Sequence, residues 1–252
     1  MLIDAHAHID IYDDSIESVI EEIEKNRIFT ISNSMDIPSF ERNLEIAGRC
    51  KLILPAFGVH PWNAPKYADR LKDLDEPIKQ CRIIGETGLD HRFITDKSEY
   101  PPQREILEYF LRKAADQDKI ICLHTAGAEL EVLNLLKSYN IKRAIIHWYS
   151  GPPDILRDYI DSGFYFSIGV EVIRSQSIQA IAREIPLKLM LTETDNPGGW
   201  EWLTGQSGRP SILKEVIQTL AIQKQTTFDN IVKVVQQNFL ILVEGNFPFP
   251  IK

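Results

Sequence analysis

The stretch LIDAHAHIDIY, residues 2–12, places two histidines two positions apart directly after an apolar start. Side chains at positions i and i+2 of a β-strand point to the same face, about 7 Å apart along the strand. His6 and His8 could therefore bind one divalent cation between them. Two hydrogen-bonded polar residues at a strand end would give the same pattern, so the motif alone leaves both interpretations open.

Most of the other histidines stand near the carboxyl ends of apolar runs. The chain has six histidines: His6, His8, His60, His91, His124 and His147. Two carboxylates occupy equivalent positions, Glu86 in IIGETGLD and Asp195 in LTETDNP. Asp195 could simply cap a turn and Glu86 could form a salt bridge, but an acidic group that ends an apolar strand is costly unless it is paired or binds a metal. The joint placement of four histidines and two carboxylates at strand ends predicts a metal site.

Six such groups indicate more than one metal ion. Mixed imidazole and carboxylate ligands suit Zn, Mn, Fe, Co or Mg better than a thiolate-dependent site does. One tetrahedral ion that keeps a position open for water cannot use six ligands, whereas two ions that share a carboxylate and a water can. We expect such a pair to lower the pKa of the water and to hold an oxyanion, while a strand-end aspartate accepts the proton.

Alternating β-rich runs and amphipathic stretches predict the elements that position these groups. The predicted strands span residues 2–9, 29–34, 51–59, 81–88, 119–124, 143–148, 164–170 and 188–195. Helices are predicted over 15–26, with Ser15 as the N-cap, over 101–117 and over 152–163, and the segment 210–244 predicts two closing helices. Eight alternations indicate an α/β fold, a (β/α)8 TIM barrel with an extra C-terminal helix, whose active site lies at the carboxyl ends of the strands. A doubly wound open sheet is the alternative, but no Gly-rich phosphate loop supports it.

The overall composition is that of a globular protein of one domain, residues 1–252. The net charge of -8 and the pI near 5.3 argue against a polybasic nucleic-acid binder, although they leave a nuclease possible. Cys50, Cys81 and Cys122 are scattered, which is typical of a reducing compartment and of packing roles. No apolar run approaches the ~20 residues of a membrane span, and the start lacks a leader pattern, so we expect a cytoplasmic protein.

Seven motifs, taken in order and spacing, resemble the TatD family of metal-dependent deoxyribonucleases, a branch of the amidohydrolase-like barrels. They run nearly from end to end of the chain: DAHAHID, FGVHPW, IGETGLD, ICLHT, IIHWYSG, SIGVEV and ETDNP. The later GRP and QQNF are similar to weaker versions of the closing motifs of that family. One motif alone would not identify the family, but the set is highly specific for it.

The resemblance implies two divalent metal ions and six ligands: His6, His8, Glu86, His124, His147 and Asp195. The first ion would be bound by the histidines of DAHAHID together with Asp195, and the second by His124 and His147. Glu86 would bridge the two ions. The implied catalytic residues are Glu86, Asp195 as the general base, and His60, which would face the scissile phosphate or the leaving group.

Departures from the family pattern concern the substrate. The family usually carries an arginine where this chain has Ala126, and a tyrosine where it has His91, with Arg92 beside it. Arg92, Arg174 or Arg209 could replace the missing phosphate contact. The predicted substrate contacts are His60, His91, Arg92, Trp148, Trp200 and Arg209.

The aromatic residues near these motifs have two interpretations. Trp200 and Trp202, in the loop after ETDNP, could stack on a nucleobase, or they could pack on the barrel. Cys122 and Trp148, which stand beside strand-end histidines, are also interpreted as packing residues.

These residues and motifs are compatible with three functions. The leading one is a two-metal phosphodiesterase that acts on single-stranded or frayed DNA, with exonuclease action as one form of it, in a monomer or a small homo-oligomer. The second is a hydrolase that uses the same metals but acts on a small phosphoester, lactone or amide. The third is a catalytically idle barrel that serves as a binding subunit.

Overall fold

An eight-stranded parallel sheet forms the centre of the protein, and its strands are neighbours in the order in which they occur in the chain. The computed structural model describes residues 1–244, so the end of the predicted domain, residues 245–252, lies outside the described residues. The strands are β1 Leu2–Ala7, β2 Ile28–Asn33, β3 Ile53–Phe57, β4 Ile83–Gly88, β5 Ile120–His124, β6 Ala144–His147, β7 Tyr165–Ile168 and β8 Met190–Thr192. The predicted (β/α)8 barrel is confirmed.

One α-helix follows each of the first seven strands, and three follow β8 within residues 1–244. They are α1 Ile16–Asn26, α2 Ile37–Ala47, α3 Asp75–Gln80, α4 Tyr100–Gln117, α5 Glu129–Ser138, α6 Pro153–Asp161, α7 Gln176–Glu184, α8 Gly198–Thr204, α9 Leu213–Gln223 and α10 Phe228–Val243. The two closing helices predicted for 210–244 are α9 and α10. None of the helices in the described part of the chain has the length and apolar character that a membrane span requires.

Helix α1 shows why the helices cover the barrel. Its buried residues recur at helical spacing and form one apolar face: Ile16, Val19, Ile20 and Ile23. The helix begins directly after Ser15, as predicted, but the Ser15 side chain makes no capping hydrogen bond. Helix α6 ends at Asp161, two residues before Gly163, which has a φ of +78°.

Contacts between β8 and β1 close the barrel. The Asp195 backbone N–H donates to the His6 carbonyl oxygen at 2.8 Å. The buried Asp4 carboxylate accepts from both the backbone N–H and the hydroxyl of Thr194, at 2.9 and 2.7 Å. The chain after β8 is therefore held against β1, at the level of the first two histidines.

Six of the eight strands end earlier than their apolar runs predict, whereas β4 and β5 end at the predicted residues 88 and 124. The first strand stops at Ala7 rather than at residue 9, and the last is confined to Met190–Thr192 rather than 188–195. His8 and Asp195 consequently lie just beyond their strands, so the predicted strand bounds were wrong here, although the rings of His6 and His8 still meet on one side, with 3.2 Å between their Nε2 atoms.

Two register shifts in the sheet occur at predicted ligands. The pairing of β1 with β2 shifts between Asp4 and Ala7, around His6, and that of β4 with β5 shifts between Ile84 and Thr87, around Glu86. Such irregularities locally bend a strand and redirect its side chains.

Candidate metal centre

The six predicted metal ligands meet at the carboxyl end of the barrel. His6, His8, Glu86 and His147 are buried, and His124 and Asp195 are partly buried. The backbones that carry them approach closely. A Cβ atom on Gly88, which has a φ of +153°, would lie 1.9 Å from the carbonyl oxygen of His124, so only glycine allows β4 to come this near to β5 here.

Four side chains around the first two histidines form one tight group. The Nε2 atoms of His6 and His8 are 3.2 Å apart, and the Glu86 Oε2 atom lies 3.3 and 3.4 Å from them. Asp195 Oδ1 lies 3.5 and 3.3 Å from the same two nitrogens. Ligands at 2.0–2.1 Å from a tetrahedral ion are separated by about 3.3–3.4 Å, so this spacing fits the ligand shell of a single cation.

The atoms of this group also require a positive charge among them. Two carboxylate oxygens and two ring nitrogens are all electron-pair donors, and they repel one another unless a proton or a metal ion lies among them. Burial would lower the pKa of His8, but hydrogen bonds to Asp195 and Glu86 outweigh it and hold that pKa well above its usual value. In the absence of metal, a proton on His8 therefore supplies the positive charge.

Glu86 links this group to a second one. Its other oxygen, Oε1, lies 2.9 Å from His124 Nδ1, 3.7 Å from His60 Nε2 and 3.8 Å from His147 Nε2. Burial would raise the pKa of Glu86, but the neighbouring histidines, first His60 and His6, hold it well below its usual value. The carboxylate is thus ionised and offers one oxygen to each group, as a bridging ligand does.

In His8 and His60, the hydrogen-bond partner of Nδ1 decides whether Nε2 of the neutral ring carries a lone pair or a proton. A lone pair can bind a metal ion, whereas a proton makes the ring a hydrogen-bond donor. His8 Nδ1 lies 2.9 Å from the Asn33 carbonyl oxygen, which can only accept, so a neutral His8 presents a lone pair at Nε2. His60 is the reverse: its Nδ1 accepts from the Trp62 backbone N–H at 3.2 Å, which places the proton of a neutral ring on Nε2. Burial lowers the pKa of His60 to about 3, so the ring is neutral at neutral pH. His8 suits metal binding, and His60 suits donation into the site.

Two buried carboxylates hold the histidines of the second group, and the sequence interpretation missed both. Glu193 Oε2 lies 2.9 Å from His147 Nδ1, and Asp90 Oδ2 lies 3.3 Å from His124 Nε2. A carboxylate behind a ligating histidine orients the ring and strengthens it as a ligand. The available signal was an acidic residue near a predicted ligand: Glu193 stands two positions before Asp195 in ETDNP, and Asp90 stands four positions after Glu86 in IGETGLD.

We expect the Glu193→Gln variant to bind divalent metal roughly 10- to 100-fold more weakly than the wild type. Burial raises the pKa of Glu193 well above its usual value, so glutamine resembles the protonated side chain of the metal-free protein but cannot ionise behind His147. Titration calorimetry with Zn²⁺ or Mn²⁺ measures the affinity, and the melting temperature of the metal-free variant controls for misfolding. An unchanged affinity would restrict Glu193 to a packing role.

Metal binding should release a proton from His124. Burial would lower the pKa of this ring, but the nearby carboxylates of Asp90 and Glu86 outweigh that effect and raise the pKa to about 9. A metal ion displaces the proton, so the apparent affinity rises as the pH increases from neutral to about 9. Calorimetry in two buffers of different ionisation enthalpy counts the released protons. An affinity that does not change over this pH range would contradict the prediction.

Three of the predicted substrate contacts, which stay predictions, lie in the loops after β4 and β6. The His91 ring stacks on Tyr100, with 3.8 Å between ring centroids. Arg92 bonds to Ser150 and Glu129, at 2.7 and 3.3 Å. Trp148, with a φ of +40°, donates from Nε1 to Glu171 at 2.6 Å.

Two further predicted contacts, Trp200 and Arg209, lie near the closing loops and also stay predictions. Trp200 packs against the barrel, with the Arg174 guanidinium 5.3 Å from its ring centroid. Arg209 is bound to α1, where its guanidinium donates to Glu22 at 2.9 Å and to Ser18 at 3.1 Å. The Arg209 charge is therefore paired on α1, while its backbone carbonyl oxygen accepts from Asn196 Nδ2 at 2.8 Å.

Comparisons with known proteins place the chain in a family. A family model described as TatD related DNase matches residues 3–244. The chain is 29% identical to the uncharacterized metal-dependent hydrolase YabD of Bacillus subtilis (strain 168), over 94% of this chain and 97% of that one. It is 26% identical to the deoxyribonuclease TATDN3 of Homo sapiens, over 96% and 94%. Its fold is similar to the crystal structure of YJJV, a TatD homologue from Escherichia coli K12, with a TM-score of 0.87, 23% identity and 96% and 97% coverage. The resemblance found in the sequence is confirmed, and the chain belongs to the TatD related DNase family of metal-dependent hydrolases.

Proposed function

We propose that this protein hydrolyses phosphodiester bonds of single-stranded or frayed DNA with two divalent metal ions. The observation that carries the proposal is the Glu86 carboxylate, which offers Oε2 to His6 and His8 and Oε1 to His124. The deoxyribonuclease name of the human relative supports DNA as the substrate class. When bound, a metal pair activates a water molecule and neutralises charge on the phosphoryl group.

The residues of the chain hold and orient the reacting groups. Asp195 would accept the proton of the attacking water. Burial would raise the pKa of this carboxyl, but its hydrogen bond with His8 and the charges of the other histidines hold it below its usual value, so Asp195 is ionised and able to accept. His60, with its proton on Nε2, would donate a hydrogen bond to a phosphoryl or leaving-group oxygen.

A second candidate is hydrolysis of a small phosphoester, lactone or amide at the same site. Two observations favour it: the net charge of -8, and the engagement of Arg209 by Glu22. Cationic contacts to phosphates normally supply most of the affinity for nucleic acid, and they make it sensitive to salt. DNA binding by this protein should accordingly be weak, short in footprint and sensitive to salt.

The deciding experiment uses wild type and Glu86→Ala after removal of metal with a chelator. Both proteins are supplied with Mg²⁺, Mn²⁺ or Zn²⁺ and given end-labelled single-stranded and duplex DNA, with a small phosphodiester in parallel. Metal-dependent DNA degradation that the variant loses supports the proposal, and the label position gives the polarity. Cleavage of the small ester alone favours the second candidate. Bound metal without turnover of any ester would instead favour an idle barrel.

A further inference from the structure

We propose that Trp62 and Trp202 are base-stacking platforms on opposite sides of the metal centre, each of which takes one nucleobase of a single-stranded substrate. The inference rests on the proposed function, because it names how that site would hold a DNA strand. Trp62 follows β3 and contacts the loop after β4, whereas Trp202 follows β8. In an eight-stranded barrel whose strands run in chain order, β4 lies opposite β8, so a strand that crosses the centre passes both indoles.

Trp62 presents an exposed ring in a fixed orientation. It is 50% exposed, although its indole Nε1–H donates to Asp90 Oδ2 at 2.7 Å. The same carboxylate oxygen faces His124, and the ring stands edge-to-face with His60 at 4.7 Å between centroids. Because two contacts to the centre hold the ring, little side-chain entropy remains to be lost when a planar group stacks on it.

Trp202 has a comparable setting on the other side. It is 64% exposed and stands edge-to-face with Trp148 at 6.0 Å between centroids. Trp148 in turn meets the ring of His147 at 6.1 Å, and its own Nε1–H is held by Glu171. A continuous row of rings thus connects the exposed indole to the histidines of the second group.

Exposure separates these two tryptophans from the one that only packs. Trp200 is partly buried against the barrel, and the Arg174 guanidinium lies over its ring, so a face of this ring is already covered by the protein. Large exposed aromatic surfaces that border a concave site mark places where a ligand covers them. Stacking on a π face needs no cation, which suits a protein with a net charge of -8.

The test compares two single-stranded oligonucleotides of equal length, one with thymine bases and one with abasic tetrahydrofuran residues throughout. Wild type, Trp62→Leu and Trp202→Leu are assayed with the metal that supports activity. Leucine keeps an apolar side chain but removes the π face, and the Phe variants at both positions restore one. Ile222→Ala is the matched control, because Ile222 is 65% exposed on α9, away from the centre.

We expect each Leu variant to raise the KM for the thymine strand roughly 5- to 150-fold, the range that corresponds to loss of one base–aromatic stack. The abasic strand should respond less than about twofold, the Phe variants should recover most of the affinity, and Ile222→Ala should match wild type. Quenching of tryptophan fluorescence in the metal-free protein by the thymine strand, but not by the abasic strand, reports stacking without turnover.

Equal losses on both strands would overturn the inference, because the indoles would then only support the centre. No loss on either strand would also overturn it, and DNA hydrolysis would still stand. Failure of the proposed function itself has a separate signature, since wild type would then cleave neither strand with any metal.

Discussion

The Glu86→Gln variant is expected to lose more than about 100-fold in kcat/KM for metal-dependent hydrolysis, together with most of its bound metal. Replacing a residue that only supports a ligand already costs 10- to 100-fold, and Glu86 contacts both ligand groups directly. Glutamine has the same shape, but it lacks the negative charge. In Glu86, five surrounding histidines share that charge through the two carboxylate oxygens, with ring nitrogens at 2.9 to 3.8 Å. Elemental analysis and steady-state kinetics measure the two losses.

Glu108→Gln is the control for this variant. Glu108 is a partly buried carboxylate on α4 that bonds to Arg104 and Tyr139, away from the barrel mouth. The control should retain its metal content and its activity. A Glu86→Gln protein that still bound two equivalents of metal and turned over normally would remove the basis of the bridging proposal.

The Asp195→Asn variant is expected to lose about 10²- to 10⁴-fold in kcat, the usual contribution of a positioned general base. Asp195 has a φ of +52°, and asparagine is one of the few residues that adopt this left-handed conformation readily. The backbone hydrogen bond to the His6 carbonyl oxygen also remains. The loss should therefore reflect the missing proton acceptor and the weakened first ligand group, rather than misfolding.

Rate measurements at saturating metal separate these two effects. A variant whose kcat stays low when the metal concentration is raised has lost the base, whereas recovery of kcat at high metal would show that Asp195 acts only as a ligand. Recovery would transfer the role of proton acceptor to another group. The melting temperature of the metal-free variant checks its folding: the Asp4 to Thr194 contacts are untouched, and the loss of the Asp195 to His8 contact accounts for any decrease.

Local patterns in the sequence were sufficient for the fold and for the meeting of the candidate ligands. Apolar runs that alternate with amphipathic stretches specify a parallel barrel, since such strands need helices on their outer face. Residues at the carboxyl ends of those strands must then lie at one rim. Chain order alone thus predicted that Glu86 and His124 meet, although they are 38 positions apart in the sequence. In the structure, Glu86 Oε1 lies 2.9 Å from His124 Nδ1.

Strand periodicity was less reliable for the details of the rim. It placed His8 on a strand face, whereas the backbone has left the sheet by then, and the register of β1 shifts around His6. Patterns of period two describe regular strands, and they fail where a bulge or an early strand end redirects a side chain.

What the sequence determined by itself was the barrel, the family and the groups that converge on one rim, because each depends on residue order and on local spacing. Only the tertiary structure decided which partner each side chain meets. It joined Arg209 to Glu22 across 187 positions and His147 to Glu193 across 46, and it left Trp202 exposed while Trp200 packed. Such pairings depend on how distant segments pack, so no local pattern encodes them.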